Sequence, residues 1–261
     1  METIKNNISD SDDMLQEKPF LDHLEDLRKT LLSIVFSLFA ALIFSFIFAP
    51  KILKVLTRPL NRIIINAGSQ ESVRPMLQSL KPAGAFLVAL KISFFAGLML
   101  SLPLCLYFLS RFVFPGLTKK ERNLLIKSLL LGGLLFFSGV LFAYFVVFPL
   151  GLLFLWNYHT TMGIVPMWTI EHFISFELVF FLAFGLVFET PVLVLLLVQF
   201  GILSQKLLRQ NRRYAIVFIF ILAAVLTPPD PVTQICMAIP MFGLFEFSVW
   251  IAGFVEKRKI N

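Results

Sequence analysis

The sequence predicts an all-α, polytopic membrane protein with six transmembrane helices and both termini on the cytoplasmic side. Three observations carry that prediction. First, hydrophobic residues make up 58% of the 261-residue chain and charged residues 15%, with 31 Phe; a typical soluble domain has roughly 45–50% and about 25%. So little polar surface cannot cover a soluble fold, and lipid must cover the rest. Second, the apolar residues fall into long continuous runs rather than short alternating ones, which reads as helices and not as barrel strands. Third, the basic residues divide unequally between the two sets of loops.

The elements follow in order. Residues 1–19 form a polar arm without the short apolar core and small-residue cleavage site of a signal peptide, so the first apolar run reads as a permanent anchor. Phe20, Leu24, Leu27 and Leu31 share one helical face, opposite Glu25, Asp26, Arg28 and Lys29. This predicts a helix lying on the membrane before the chain turns into its first span. That span, 31–49, holds no charge and reaches about 28 Å as helix, against a hydrocarbon core of roughly 30 Å. In Lys51–Arg62 the charges recur every three or four residues, predicting an amphipathic helix at the outer interface, broken at Pro59.

The second span, 86–114, carries Lys91, Pro103 and Arg111. Pro115-Gly116 ends it, and Thr118 with Glu121 makes a capping box that opens the third span, 124–148. The fourth, 173–200, contains Glu177, Glu189 and Pro191. The fifth, 214–226, is about 20 Å long as helix, too short to span a bilayer unaided. Three prolines in Leu226-Thr-Pro-Pro-Asp-Pro231 force a tight hairpin, where Asp230 can cap the sixth span, 232–255. The six spans make one domain, 20–256, followed by a basic tail, 257–261.

Sixteen Lys and Arg lie in the arm, the second-to-third and fourth-to-fifth loop regions and the tail, against six on the other side, all between Lys51 and Lys81. By the positive-inside rule the termini are cytoplasmic. The net charge of +7 therefore reflects loop orientation rather than nucleic-acid binding. Cys105 and Cys236 lie within apolar runs and suggest no disulfide framework.

No Gly-x-x-x-x-Gly-Lys-Ser/Thr cradle, metal-ligand spacing of His23, His159 and His172, or Gly-x-Ser-x-Gly elbow occurs. The expectation is a protein that is not an enzyme, with no metal or cofactor. Information is concentrated instead in the ionisable residues inside spans, Lys91, Glu177, Glu189 and Glu246, each costing about 2.5–3.5 kcal/mol at a helix centre. Glu189, near mid-span beside Pro191, reads as a functional polar site or as a structural hydrogen-bonding group. Glu177, one turn into its span, reads as reaching interfacial water. Lys91 either snorkels outward or meets a carboxylate in the bundle.

Several of these stretches, taken in order, resemble the TatC family, the receptor subunit of the twin-arginine protein translocase. They are His23-Leu-Glu-Asp-Leu-Arg28, Lys91 with Pro103, and Phe112-x-x-Pro115-Gly116 through Glu121-Arg122. Further on come Phe142-x-Tyr144 with Pro149, Phe184-Gly185-x-x-Phe188-Glu189-x-Pro191, Arg213-Tyr214, and Leu226-Thr-Pro-Pro-Asp230 with Gln234 and Pro240. The resemblance runs from about Phe20 to Glu256. It implies a concave six-helix bundle with short fifth and sixth helices, which binds twin-arginine signal peptides of folded cargo proteins at its cytoplasmic face. It implies contact from Asp26 and Glu121, with Glu25, Arg28 and Phe112 beside them; Asp26 stands where the family usually has Glu. Fixed carboxylates suit the permanently charged, bidentate guanidinium. The resemblance further implies an intramembrane polar site at Glu189 and Lys91, and a groove at Thr227, Asp230 and Gln234 for single-span TatA- and TatB-type subunits. Other copies of the chain, surrounding membrane lipid and drive from the proton-motive force complete the picture. The polar N-terminus, without an Arg- and Ser-rich, acid-poor transit segment, favours a bacterial inner membrane over a thylakoid. The competing reading is an ion-coupled secondary transporter using Glu189 and Lys91.

Overall fold

The computed structural model describes residues 20–66, 77–113, 118–164, 167–226 and 231–260. Pro115, Gly116, Thr227 and Asp230 lie outside them, and the Glu121 side chain is likewise outside the description. The described chain is helical: α1 (Phe20–Leu56), α2 (Arg58–Asn66), α3 (Gly84–Val113), α4 (Lys119–Phe142), α5 (Phe148–Thr161), α6 (Ile170–Phe188), α7 (Thr190–Gln199), α8 (Gln205–Gln210), α9 (Arg212–Leu226) and α10 (Pro231–Ile260), with a π turn at Ala143–Val147. Five of the described helical runs are long and apolar enough to cross a membrane. α9, with 15 residues, is not among them.

Four boundaries differ from the expectation. The lead-in helix, the first span and the start of the outer segment form a single helix of 37 residues, about 55 Å long. The flanking amphipathic stretches are in helical phase with the uncharged run, and Pro50 is accommodated inside it. The break comes at Thr57, and Pro59 instead occupies the second position of α2, where a missing N–H costs nothing. The third span does not end at Phe148: Pro149 sits in the first turn of α5, and the π turn before it takes up the mismatch, with Phe148 N–H donating five residues back to Ala143 C=O. The sixth helix is not short; α10 has 30 residues, carries Pro240 internally and continues past Lys257.

Prolines leave carbonyls without their usual donor, and the fold answers one of them directly. Pro59 cannot donate to Val55 C=O, and the Tyr144 hydroxyl donates to that oxygen at 2.9 Å. Thus the π turn of the third span is tied to the α1–α2 joint. Left-handed glycines end two helices: Gly163 after α5 and Gly201 after α7, with φ of 69° and 76°, each followed by an N–H reaching back to a carbonyl of the last turn.

Phe148 sits at the centre of the core, its ring 5.3–5.9 Å from those of Phe173, Phe176, Phe180 and Phe181. Helices approach closely where glycine faces them. A Cβ on Gly97 would lie 2.9 Å from Leu42 Cα, one on Gly139 2.8 Å from Phe184 O, and one on Gly185 2.5 Å from the Phe136 ring. These are the small-residue contacts expected where helices associate in lipid by packing alone. The outer surface is apolar: Phe36 is 77% and Val225 76% exposed, which only a hydrocarbon surrounding tolerates.

Candidate functional site

Two polar regions interrupt this apolar body. The first lies at the end where α1 begins and α3 finishes. A cavity of about 390 Å³ is lined by Asp26, Lys29, Thr30 and Ser33 from α1 and by Phe108, Arg111 and Phe112 from α3. Asp26 and Phe112, both singled out from sequence, are therefore brought together. Glu25 does not line the cavity; it faces Lys29 one turn on, at 2.9 Å. Arg28 is exposed and does not line the cavity. Lys29, Thr30, Ser33, Phe108 and Arg111 line the same cavity without standing out from the sequence as site residues. Lys29, Thr30 and Ser33 lie three, four and seven residues from Asp26, and Phe108 four from Phe112, the helical offsets that place them on the same walls; Arg111, next to Phe112, carries no such signal.

Thr118 stands before α4, its carbonyl accepting the Arg122 N–H at 2.9 Å. That is the N-cap position that the capping-box reading requires, and it sets Glu121 in the first turn of α4.

The second region is the break between α6 and α7. Glu189 N–H donates to Leu186 C=O, and the Val192 and Leu193 N–H groups both reach Glu189 C=O. The chain makes one tight turn there because Pro191 withholds the N–H that Val187 C=O would accept. The Glu189 carboxyl points at α4, where a Cβ on Gly132 would lie 2.6 Å from Oε2. Its Oε1 is buried with no hydrogen-bond partner. Gly132 is thus what admits a carboxyl to this seam.

Lys91 and Glu177 behave differently from expectation. Lys91 neither snorkels nor meets a carboxylate: its Nζ donates to Ser175 Oγ at 2.6 Å, and that hydroxyl donates to Glu171 C=O. Ser175 lies near the opposite end of α6 from Glu189, about 21 Å along the helix, so Lys91 and Glu189 do not form a pair. Glu177 does not reach interfacial water. It is 0% exposed, and neither carboxyl oxygen has a hydrogen-bond partner, because the helix face it shares with Phe173 and Phe181 is covered by the bundle. Glu246 meets Arg212 at 2.7 Å, joining α10 to the start of α9. Gln234 donates to Phe220 C=O at 3.0 Å, tying the two arms of the last hairpin.

Among the described residues no group of three His, Cys, Asp or Glu is arranged to hold a metal.

Comparisons with known proteins agree over most of the chain. The sequence model described as TatC, Sec-independent protein translocase protein, matches residues 22–240. A relative from Akkermansia muciniphila, named Sec-independent protein translocase protein TatC, is 41% identical over 75% of this chain and 57% of its own length. The Carboxydothermus hydrogenoformans protein of the same name is 34% identical over 95% of this chain and 98% of its own. Among solved structures, a crystal structure titled as the twin-arginine translocase receptor TatC superposes with a TM-score of 0.76, at 32% identity, covering 90% of this chain and 99% of that one.

Proposed function

The chain belongs to the TatC family of Sec-independent protein translocase proteins, and on that premise we propose that its α1–α3 cavity is the receptor surface for twin-arginine signal peptides. The protein is a component of the Sec-independent protein translocase. In our reading α9 completes a six-span topology with both termini cytoplasmic, in a bacterial inner membrane. One signal-peptide arginine docks on Asp26, with the Phe112 ring as a cation–π surface, and Glu121 at the start of α4 takes the other. Glu25 serves indirectly, by holding the Lys29 ammonium that would otherwise oppose a guanidinium in the same cavity. Arg28 flanks this surface.

Single-span TatA- and TatB-type subunits and further copies of the chain assemble around the α9–α10 hairpin. There Tyr214, Phe218, Ile221 and Val225 present one exposed apolar stripe, and Thr227, Asp230 and Gln234 supply polar contacts. Movement of folded cargo draws on the proton-motive force, with Glu189 acting after binding. The observation that carries the proposal is the cavity that unites Asp26 with Phe112.

The test is titration of a fluorescent twin-arginine peptide against the purified protein. Asp26→Asn and Glu121→Gln should each weaken binding tenfold or more, as loss of a charge-assisted hydrogen bond of about 1.5–3 kcal/mol requires. Binding unchanged in both variants contradicts it.

A further inference from the structure

We propose that the groove between α2 and the π turn of the third span binds an anionic phospholipid, with its phosphate on Arg58 and Arg62 and an acyl chain along Phe145, Leu150 and Leu153. The groove encloses about 420 Å³ and is walled by these residues together with Tyr144 and Pro149.

Four observations converge on that occupant. Arg58 and Arg62 are one turn apart on α2 and both line the groove, so their planar forks can take one phosphodiester together. Neither has a carboxylate partner among the described residues, and no Asp or Glu occurs anywhere from Lys51 to Asn66. The helix that carries the two arginines is held from behind, because Pro59, Leu60 and Ile63 are buried against the bundle and the Tyr144 hydroxyl fixes the α1–α2 joint through Val55 C=O. The opposite wall is hydrocarbon: Phe145, Leu150 and Leu153 are all exposed.

Depth also fits. The uncharged stretch of α1 ends at Pro50, and Lys51, Lys54, Arg58 and Arg62 follow directly, which places them where headgroups meet acyl chains. A free phosphate would satisfy the arginines and leave the wall uncovered. A zwitterionic lipid would bring its own cation against both. An anionic headgroup on an acyl chain satisfies the whole groove.

The experiment uses the full chain purified in detergent, with bound lipid counted by native mass spectrometry after equilibration with phosphatidylglycerol or phosphatidylcholine. Phosphatidylglycerol should be retained at least tenfold more strongly, and the Arg58→Gln/Arg62→Gln double variant should abolish that preference. Leu153→Trp, which leaves both arginines intact on an already exposed position, should lower phosphatidylglycerol retention several-fold. Equal retention of the two lipids by the unaltered protein overturns the proposal, as does undiminished preference in the double variant. Displacement of the lipid by millimolar glycerol phosphate would overturn the acyl-chain half, as would unchanged retention in Leu153→Trp.

Discussion

Replacing Gly132 by Ala tests the α4–α6 seam where Glu189 enters the bundle. The added Cβ would lie 2.6 Å from Glu189 Oε2, 3.2 Å from Oε1 and 3.3 Å from Cδ, whereas ordinary contact begins at 3.4 Å. The carboxyl must therefore withdraw by about 0.8 Å, or the helices must part, at the roughly 1–3 kcal/mol typical of overpacking. Gly133, next along α4, supplies the control, since a Cβ there meets nothing within 4 Å; Gly133→Ala should be neutral or slightly stabilising. Thermal unfolding in detergent should show Gly132→Ala destabilised relative to Gly133→Ala. Adding Glu189→Ala should relieve the clash, giving a double-mutant coupling of about 1–2 kcal/mol. Export of a twin-arginine cargo should fall in Gly132→Ala while signal-peptide binding stays intact. Equal stability of the two alanine variants, or strict additivity with Glu189→Ala, would refute the reasoning.

Further outcomes follow from other contacts. Tyr144→Phe removes the donor to Val55 C=O. Because water can reach that carbonyl in part, the loss should be about 0.5–1.5 kcal/mol, read as a lowered melting temperature; an unchanged value would show the tie to be idle. The Arg212–Glu246 pair, with side chains 45% and 33% exposed, should couple by only about 0.2–1 kcal/mol in a double-mutant cycle. Phe148→Ala empties the centre of five packed rings and should cost about 3–5 kcal/mol, seen as loss of folded protein in detergent.

Five long apolar helices were legible because bilayer thickness imposes a length and hydrocarbon forbids charge: 31–49 lies wholly inside α1 and 124–148 inside one helical run. Boundaries were less legible where helix continues without the bilayer's demand. Lys51–Leu56 stays in α1 because nothing in that stretch breaks the helix, and Pro149 is tolerated because a π turn precedes it. The tight turn at Glu189 could be expected from Pro191, since a proline's effect is local. Burial of Glu177 could not, because a residue's distance from water depends on which helices pack over it. The Lys91 partner was missed for the same reason: Ser175 carries no charge to announce it, and the contact joins residues 84 positions apart. Asp26 and Phe112 were legible as motif positions, while the cavity that joins them comes from the α1–α3 crossing.

The central claim, that the α1–α3 cavity and the adjoining start of α4 receive the paired arginines, is tested most directly by photo-crosslinking from position 112. A benzoyl-phenylalanine there keeps an aromatic ring on the cavity wall. It should capture a twin-arginine peptide at least ten times more efficiently than a twin-lysine peptide, and the same probe at Leu80, exposed on the segment before α3, should capture neither. Equal yields from the two peptides at position 112, or equal capture at Leu80, would contradict the account.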